Sequence, residues 1–224
     1  MTRADVRAVL FDLDGTLIDT APDMIAALNA LRAEESLPPL PYELARTQVS
    51  HGSSGLVRLA FPAVEGSPFE QLRERFLAIY NERVAHETKL FDGAVEVLEA
   101  LEASARPWGI VTNKPTFLTT PLLEAIGIGL RAGCVVAGDT LPQRKPHPAP
   151  LLHAATQLRI DPARCVYVGD DLRDVQAGNA AGMATIVASY GYIGAAGDAA
   201  AWPATGWIAT PGELLAWLRP LARS

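Results

Sequence analysis

The chain has 224 residues, of which 49% are hydrophobic and 20% charged, with a formal net charge of -6. That length holds one large domain or a core with a smaller insert, and the apolar share is enough for a full core. The acidic balance excludes a general nucleic-acid binder, whose footprint would be basic, although one pocket can still be positive on an acidic protein.

In chain order, the apolar run Ala8–Phe11 predicts a short buried strand that ends at Asp12. Thr20 predicts an N-cap, with Pro22 and Asp23 in the first turn of a helix carrying Met24, Ile25, Leu28 and Leu31 on its apolar side. Leu37–Pro41 reads as a loop, and short helices follow over Tyr42–Val49 and Ser54–Phe61, interrupted by His51-Gly52-Ser53-Ser54-Gly55. A longer helix fits Pro68–Ala85. Residues 19–88 therefore read as all-helical.

From Phe91 the character changes. Helices are expected over Ala94–Ala103, Thr116–Ile126, Ala149–Leu158, Leu172–Ala181 and Pro211–Leu218. They alternate with strands over Trp108–Val111, Cys134–Ala137, Cys165–Val168, Ala184–Ala188 and Trp207–Ala209. This alternation predicts an α/β fold, a Rossmann-like and mostly parallel sheet. The expected core is 1–18 with 89–224, and 19–88 forms a helical domain inserted after the first strand. Gly194–Ala201 reads as an exposed loop.

Cys134 and Cys165 each adjoin an apolar run and read as small core residues, not a disulfide or metal pair. With no secretory apolar region and no stretch long enough to span a membrane, a reduced, cytoplasmic protein with no membrane partner is expected. No protein partner is implied. Only Lys89, Lys114 and Lys145 occur against sixteen arginines. Where Arg has replaced nearly every Lys, a surviving ammonium points to a position that needs a compact charge.

In an open parallel sheet, ligands bind beyond the carboxyl ends of the strands. Polar residues follow four of these strands: Asp12 and Asp14; Thr112, Asn113 and Lys114; Arg144, Lys145, Pro146 and His147; and Gly169-Asp170-Asp171, with Asp174 beyond. Each cluster alone has a plain structural reading, as an Asx-turn or a helix cap. An EF-hand fails because Leu17 stands where the loop's sixth-position glycine is needed. Two carboxylates aimed into one space repel unless a cation or shared proton intervenes. Asp12, Asp14 and Asp170 suit Mg²⁺, and Thr112, Asn113 and Lys145 suit phosphate oxygens. A carboxylate nucleophile and a second carboxylate acting as acid and then base complete a phosphoryl-transfer site.

These motifs, Asp12-Leu13-Asp14-Gly15-Thr16, Thr112-Asn113-Lys114, Lys145-Pro146 and Gly169-Asp170-Asp171-Leu172-Arg173-Asp174, resemble those of the haloacid dehalogenase superfamily of phosphohydrolases. The resemblance implies that Asp12 is the nucleophile and Asp14 the general acid/base. It implies a Mg²⁺ held by Asp12, the Asp14 backbone carbonyl and Asp170, with Asp171 and Asp174 as metal support, Asp174 through water or Lys145. Thr112, Asn113 and Lys145 would hold the phosphoryl group. The helical insert resembles a type 1 cap, whose specificity loop would be His51, Gly52 and Ser53.

Within the superfamily the chain resembles the phosphoglycolate phosphatase-like group. Arg106–Pro115, the Gly169–Asp174 stretch and Ser189-Tyr190-Gly191-Tyr192-Ile193 are similar to N-acetylmuramate 6-phosphate phosphatases of peptidoglycan recycling. The implied substrate is thus a small phosphorylated metabolite, N-acetylmuramate 6-phosphate, with 2-phosphoglycolate as the alternative. A β-phosphoglucomutase-like mutase and an inactive binding protein also remain open. Haloacid dehalogenation is disfavoured by Asp14, and phosphonate cleavage by the absence of a lysine within 19–88.

Overall fold

The computed structural model describes residues 6–193 and 199–218. Strand β1 (Ala8–Phe11) is buried throughout. Its alternate residues enter different cores: Val9 and Phe11 face one apolar cluster, Ala8 and Leu10 the other. A strand covered on both faces needs apolar side chains at every position, so β1 reads as a continuous run.

The chain leaves the sheet through β2 (Ile18–Asp19), which pairs antiparallel with β3 (Lys89–Leu90). Sequence reading did not anticipate these two-residue strands, which are too short to show a period. Between them lie α1 (Ala21–Glu34), α2 (Tyr42–Arg46), α3 (Gly52–Ala60) and α4 (Gly66–Asn81). Leu28, Leu31, Leu56, Phe76 and Tyr80 are buried where these helices meet, in the same apolar cluster as Val9 and Phe11. The expected helix over Tyr42–Val49 ends at Arg46, and a separate 3-10 turn spans Val49–His51. Gly52 there has φ 63°, a left-handed value that glycine adopts without strain. The fourth helix starts and ends earlier than the expected Pro68–Ala85.

Beyond β3 come α5 (Ala94–Ala103), β4 (Trp108–Val111), α6 (Thr116–Ile126), β5 (Cys134–Val136) and α7 (Ala149–Leu158). The chain continues with β6 (Cys165–Gly169), α8 (Leu172–Ala180), β7 (Ala184–Ala188), β8 (Gly206–Ile208) and α9 (Glu213–Trp217). Six strands form one sheet in the order β5-β4-β1-β6-β7-β8, every pair parallel. From β1 the chain adds β4 and then β5 on one side, and from β6 onward builds the other. The carboxyl ends of β1, β4 and β6 therefore lie together at the point where the order reverses. Cys134 and Cys165 are buried free thiols, and burial raises their pKa to about 11 and about 12. Of the expected Gly194–Ala201 loop, residues 194–198 lie outside the described ones, and Ala199–Ala201 forms a 3-10 turn. No helix among the described residues is long and apolar enough to cross a membrane.

Candidate active site

Asp12 is the first residue past β1, and its backbone N–H continues the ladder to Val168 O at 2.8 Å. The turn after it depends on Gly15, whose φ is +82°. A Cβ at that position would fall inside the Asp170 carboxylate and against the Tyr192 ring, so the glycine also permits close approach. Lys145, from the loop after β5, reaches Asp12 Oδ1 at 2.8 Å and Asp174 Oδ1 at 2.8 Å. It also donates to the Tyr167 hydroxyl at 2.8 Å, so all three ammonium protons are taken. Burial opposes charge on Lys145, but the two aspartates outweigh it and hold its pKa above the ordinary value.

Asp12, Asp170 and Asp174 are buried, with one carboxylate oxygen of each within 4.8 Å of the others. Burial, only partly offset by Lys145 and reinforced by Asp174 and Asp14, raises the Asp12 pKa to about 7. Burial and the charges of Asp12 and Asp174 push Asp170 well above the carboxylate range. A buried set of hard oxygens that repel one another is what a divalent cation relieves. These three carboxylates could therefore hold a metal ion.

Asp170 Oδ2 accepts from the Tyr192 backbone N–H at 2.8 Å and from the Ser50 hydroxyl at 3.0 Å. Asp171 is the N-cap of α8 and accepts from the Arg173 backbone N–H at 2.8 Å. Asp174 returns the bond to the Asp171 N–H at 3.1 Å, a reciprocal capping box. Burial works to raise the Asp171 pKa, but the Arg173 guanidinium at 2.8 Å wins and lowers it.

Asp14 Oδ1 accepts from Thr20 Oγ1 at 2.6 Å and from Lys114 Nζ at 2.9 Å. Thr20 stands at the N-cap position of α1, yet its hydroxyl is spent on Asp14 and makes no cap bond. Lys114 donates also to the Tyr80 hydroxyl at 3.0 Å, which ties the core aspartate to α4. Thr112 Oγ1 accepts from the Lys114 N–H at 3.1 Å, leaving its own proton for a ligand in the cavity it lines. Asn113 uses both ends of its amide on the Lys145 backbone, each at 3.0 Å. Its side chain thus positions the lysine.

A cavity of about 460 Å³ opens above these groups. The core contributes Asp12, Asp14, Thr112, Lys145 and Asp174 to its lining, and the helical block contributes Ser50, His51, Gly52, Ser53, Arg73 and Tyr80. Arg173 donates to the Ser50 carbonyl. Arg46 of α2 donates to Gly191 O at 3.1 Å and lies 4.9 Å from the centroid of the Tyr192 ring. The helices are therefore closed over the strand ends.

The structure brings Asp12, Asp14, Thr112, Lys145, Asp170, Asp171 and Asp174 to one edge. His51, Gly52 and Ser53 line the cavity on its opposite wall. Sequence reasoning missed Ser50, Tyr80 and Tyr167. Ser189–Ile193 enters the sequence reading only as a mark of resemblance, whereas the Tyr192 backbone N–H donates directly to Asp170 Oδ2. A glycine between two tyrosines just past a strand end was the available signal.

Residues 9–188 match the family model for haloacid dehalogenase-like hydrolases. The chain is 43% identical over 205 residues to a phosphoglycolate phosphatase of Xylella fastidiosa, covering 92% of this chain and 90% of that one. It is equally 43% identical, over 216 residues and 96% of each chain, to an N-acetylmuramic acid 6-phosphate phosphatase of Pseudomonas aeruginosa. A solved structure of a predicted phosphoglycolate phosphatase from Haemophilus somnus superposes with a TM-score of 0.86 at 28% identity, covering 96% of this chain and 99% of that one. With the strand-end carboxylates and this family match together, the chain belongs to the haloacid dehalogenase-like hydrolase family, as a phosphoric monoester hydrolase.

Proposed function

We propose that the protein is a Mg²⁺-dependent phosphomonoesterase that works through an aspartyl phosphate on Asp12 and acts on N-acetylmuramate 6-phosphate in the cytoplasm. The observation that carries this is the meeting of Asp12, Asp170, Asp174 and Lys145 within one buried cluster. In this reading residues 1–18 and 89–224 are the catalytic core, and 19–88 are a cap that chooses the substrate.

Asp12, the Asp14 carbonyl and Asp170 would hold Mg²⁺, with Asp174 supporting it through Lys145. The ion supplies charge neutralisation for the phosphoryl oxygens. A carboxylate oxygen of Asp12 forms a bond to phosphorus as the bond to the leaving oxygen breaks. Asp14 gives that oxygen its proton. The Asp14 carboxylate then takes a proton from a water, whose oxygen attacks phosphorus and frees Asp12 and inorganic phosphate. Thr112 donates to the phosphoryl group, the Lys145 charge offsets the negative charge gathered at Asp12, and Lys114 with Thr20 aims Asp14. Closure of His51, Gly52 and Ser53 over the site excludes water other than the attacking one.

The Pseudomonas relative supports the sugar substrate, and so does a 460 Å³ cavity, which is far larger than a two-carbon acid fills. The Xylella relative supports 2-phosphoglycolate as the second reading. The test is Mg²⁺-dependent phosphate release from N-acetylmuramate 6-phosphate, 2-phosphoglycolate and hexose phosphates, compared by kcat/KM. Preference for the muramate ester is expected. Preference for phosphoglycolate would replace the substrate assignment. Absence of free phosphate from every ester would favour a mutase or a binding protein.

A further inference from the structure

The cavity has a reacting end and a remote end, and one face of α4 runs between them. Arg73, Leu77 and Tyr80 line the cavity at intervals of four and three residues, as one helical face does. Tyr80 marks the reacting end, because its hydroxyl accepts from the Lys114 ammonium that pairs with Asp14. Arg73 lies seven residues earlier, which is roughly 10 Å back along the helix axis.

Most cationic groups on the cavity wall are already committed. Lys145 is saturated by Asp12, Asp174 and Tyr167, and Lys114 is held by Asp14 and Tyr80. Arg173 is spent on Asp171 and the Ser50 carbonyl. Arg144 is exposed on the core loop and feels Asp139. Arg73 differs. Its Nε donates to Glu70 Oε2 at 2.7 Å, which steadies the guanidinium, while its two Nη atoms make no hydrogen bond to any described residue. Its side chain is only 30% exposed, so an anion meeting it is partly shielded from water. Leu77 lies between the two polar ends and gives an apolar strip against which a sugar ring can rest.

We propose that Arg73 anchors a carboxylate on the leaving group and selects phosphomonoesters whose carboxylate lies about a sugar ring's breadth from the phosphorus. A guanidinium fork matches a carboxylate in shape and charge. Both acids in the relatives' names carry a carboxylate, but at different reach. The two-carbon acid holds it beside the ester oxygen, too near the phosphorus to meet Arg73 while the phosphoryl group sits on Asp12. The sugar acid holds it farther out, on an ether two ring carbons from the one that bears the phosphorylated carbon, toward the Arg73 end of the wall.

This deepens the phosphomonoesterase reading and rests on it, so binding and turnover are measured separately. The binding arm uses Asp12→Asn protein with Mg²⁺, and calorimetry with three ligands. They are N-acetylmuramate 6-phosphate, N-acetylglucosamine 6-phosphate (the same sugar phosphate without the carboxylate-bearing ether) and 2-phosphoglycolate. The muramate ester is expected to bind roughly 10–100-fold tighter than the glucosamine ester, as one charged hydrogen-bonded pair provides. Adding Arg73→Ala should shrink that preference to under about threefold, and Arg73→Lys should restore part of it. Phosphoglycolate affinity should move far less than that of the muramate ester. A preference that survives Arg73→Ala, or that is absent in the parent, overturns the anchor. In the turnover arm, wild-type protein that releases no phosphate overturns the phosphatase reading, while a binding preference lost with Arg73→Ala would still support the anchor.

Discussion

Asp12 and Lys145 carry opposite burdens in one buried place. Asp12→Asn removes the proposed nucleophile with almost no change of shape. We expect turnover to vanish while the circular dichroism spectrum stays native-like and unfolding stays cooperative; Mg²⁺-dependent turnover in that folded variant would refute the nucleophile. Lys145→Ala should lower kcat by about 10²–10³, the scale of removing one preorganised electrostatic donor. It also leaves Asp12 and Asp174 facing each other without their shared cation, so a lowered melting temperature should accompany the loss. A rate change under about threefold would mean that the ammonium does not serve the reaction. Both residues were legible in the sequence, Asp12 because it directly follows an apolar run and Lys145 because it is one of only three lysines and lies in the loop after a strand. Asn113 was read as a phosphate contact, and the service of its side chain to the Lys145 backbone was not legible.

At the scale of elements, the loop after β7 does what its sequence did not advertise. The Tyr192 hydroxyl accepts from the backbone N–H of Thr20 at 2.7 Å and of Ala21 at 3.0 Å. It donates to Asp19 Oδ1 at 2.7 Å, and so satisfies the start of α1 where a side-chain cap would have stood. Tyr192→Phe would leave two buried N–H groups without that acceptor. The expected loss is about 1–3 kcal/mol, read from denaturant unfolding with an unchanged m-value. An unchanged midpoint would mean that water takes the place of the hydroxyl. Thr20 reads as an N-cap from local sequence because Ser and Thr usually are. Here Asp14 competes for its hydroxyl, and a half-buried carboxylate beside a lysine wins.

For the whole molecule, the carboxylate cluster couples stability to pH and cation. Burial lifts the folded pKa of Asp12 to about 7, against 3.8 for a free aspartate. Between those values the folded protein holds more protons than the unfolded chain, so metal-free stability should rise as pH falls from about 7 toward 4. Above about 7 the carboxylate is ionised in both states and the penalty is complete. Under the proposed function, bound Mg²⁺ would take the proton's place. Its stabilisation should therefore be larger above pH 7 than below, about 2.7 kcal/mol at a hundredfold excess over Kd. That corresponds to a melting shift of about 5–10 °C for a chain of this size. A shift independent of pH, or none at all, would place the ion away from Asp12. The closure of the helices over the strand ends belongs to the same scale: Ser50 bonds Asp170 across 120 residues of sequence, and Arg46 reaches Gly191 across 145.

The sequence by itself determined the α/β architecture and the edge where the chemistry collects. Parallel strands joined by helices must end on one side, so Asp12, Thr112 and Asp170 converge once the alternation is recognised. It also marked the helical insert, because an apolar period of 3.6 is visible within one segment. Only the tertiary structure decided which helical faces meet the strand ends. Periodicity defines an apolar stripe but not the partner it packs against, and the side chains at the stripe's polar margin follow that packing. Ser50, Arg73 and Tyr80 therefore became legible as wall residues of the cavity only when α3 and α4 closed over the sheet.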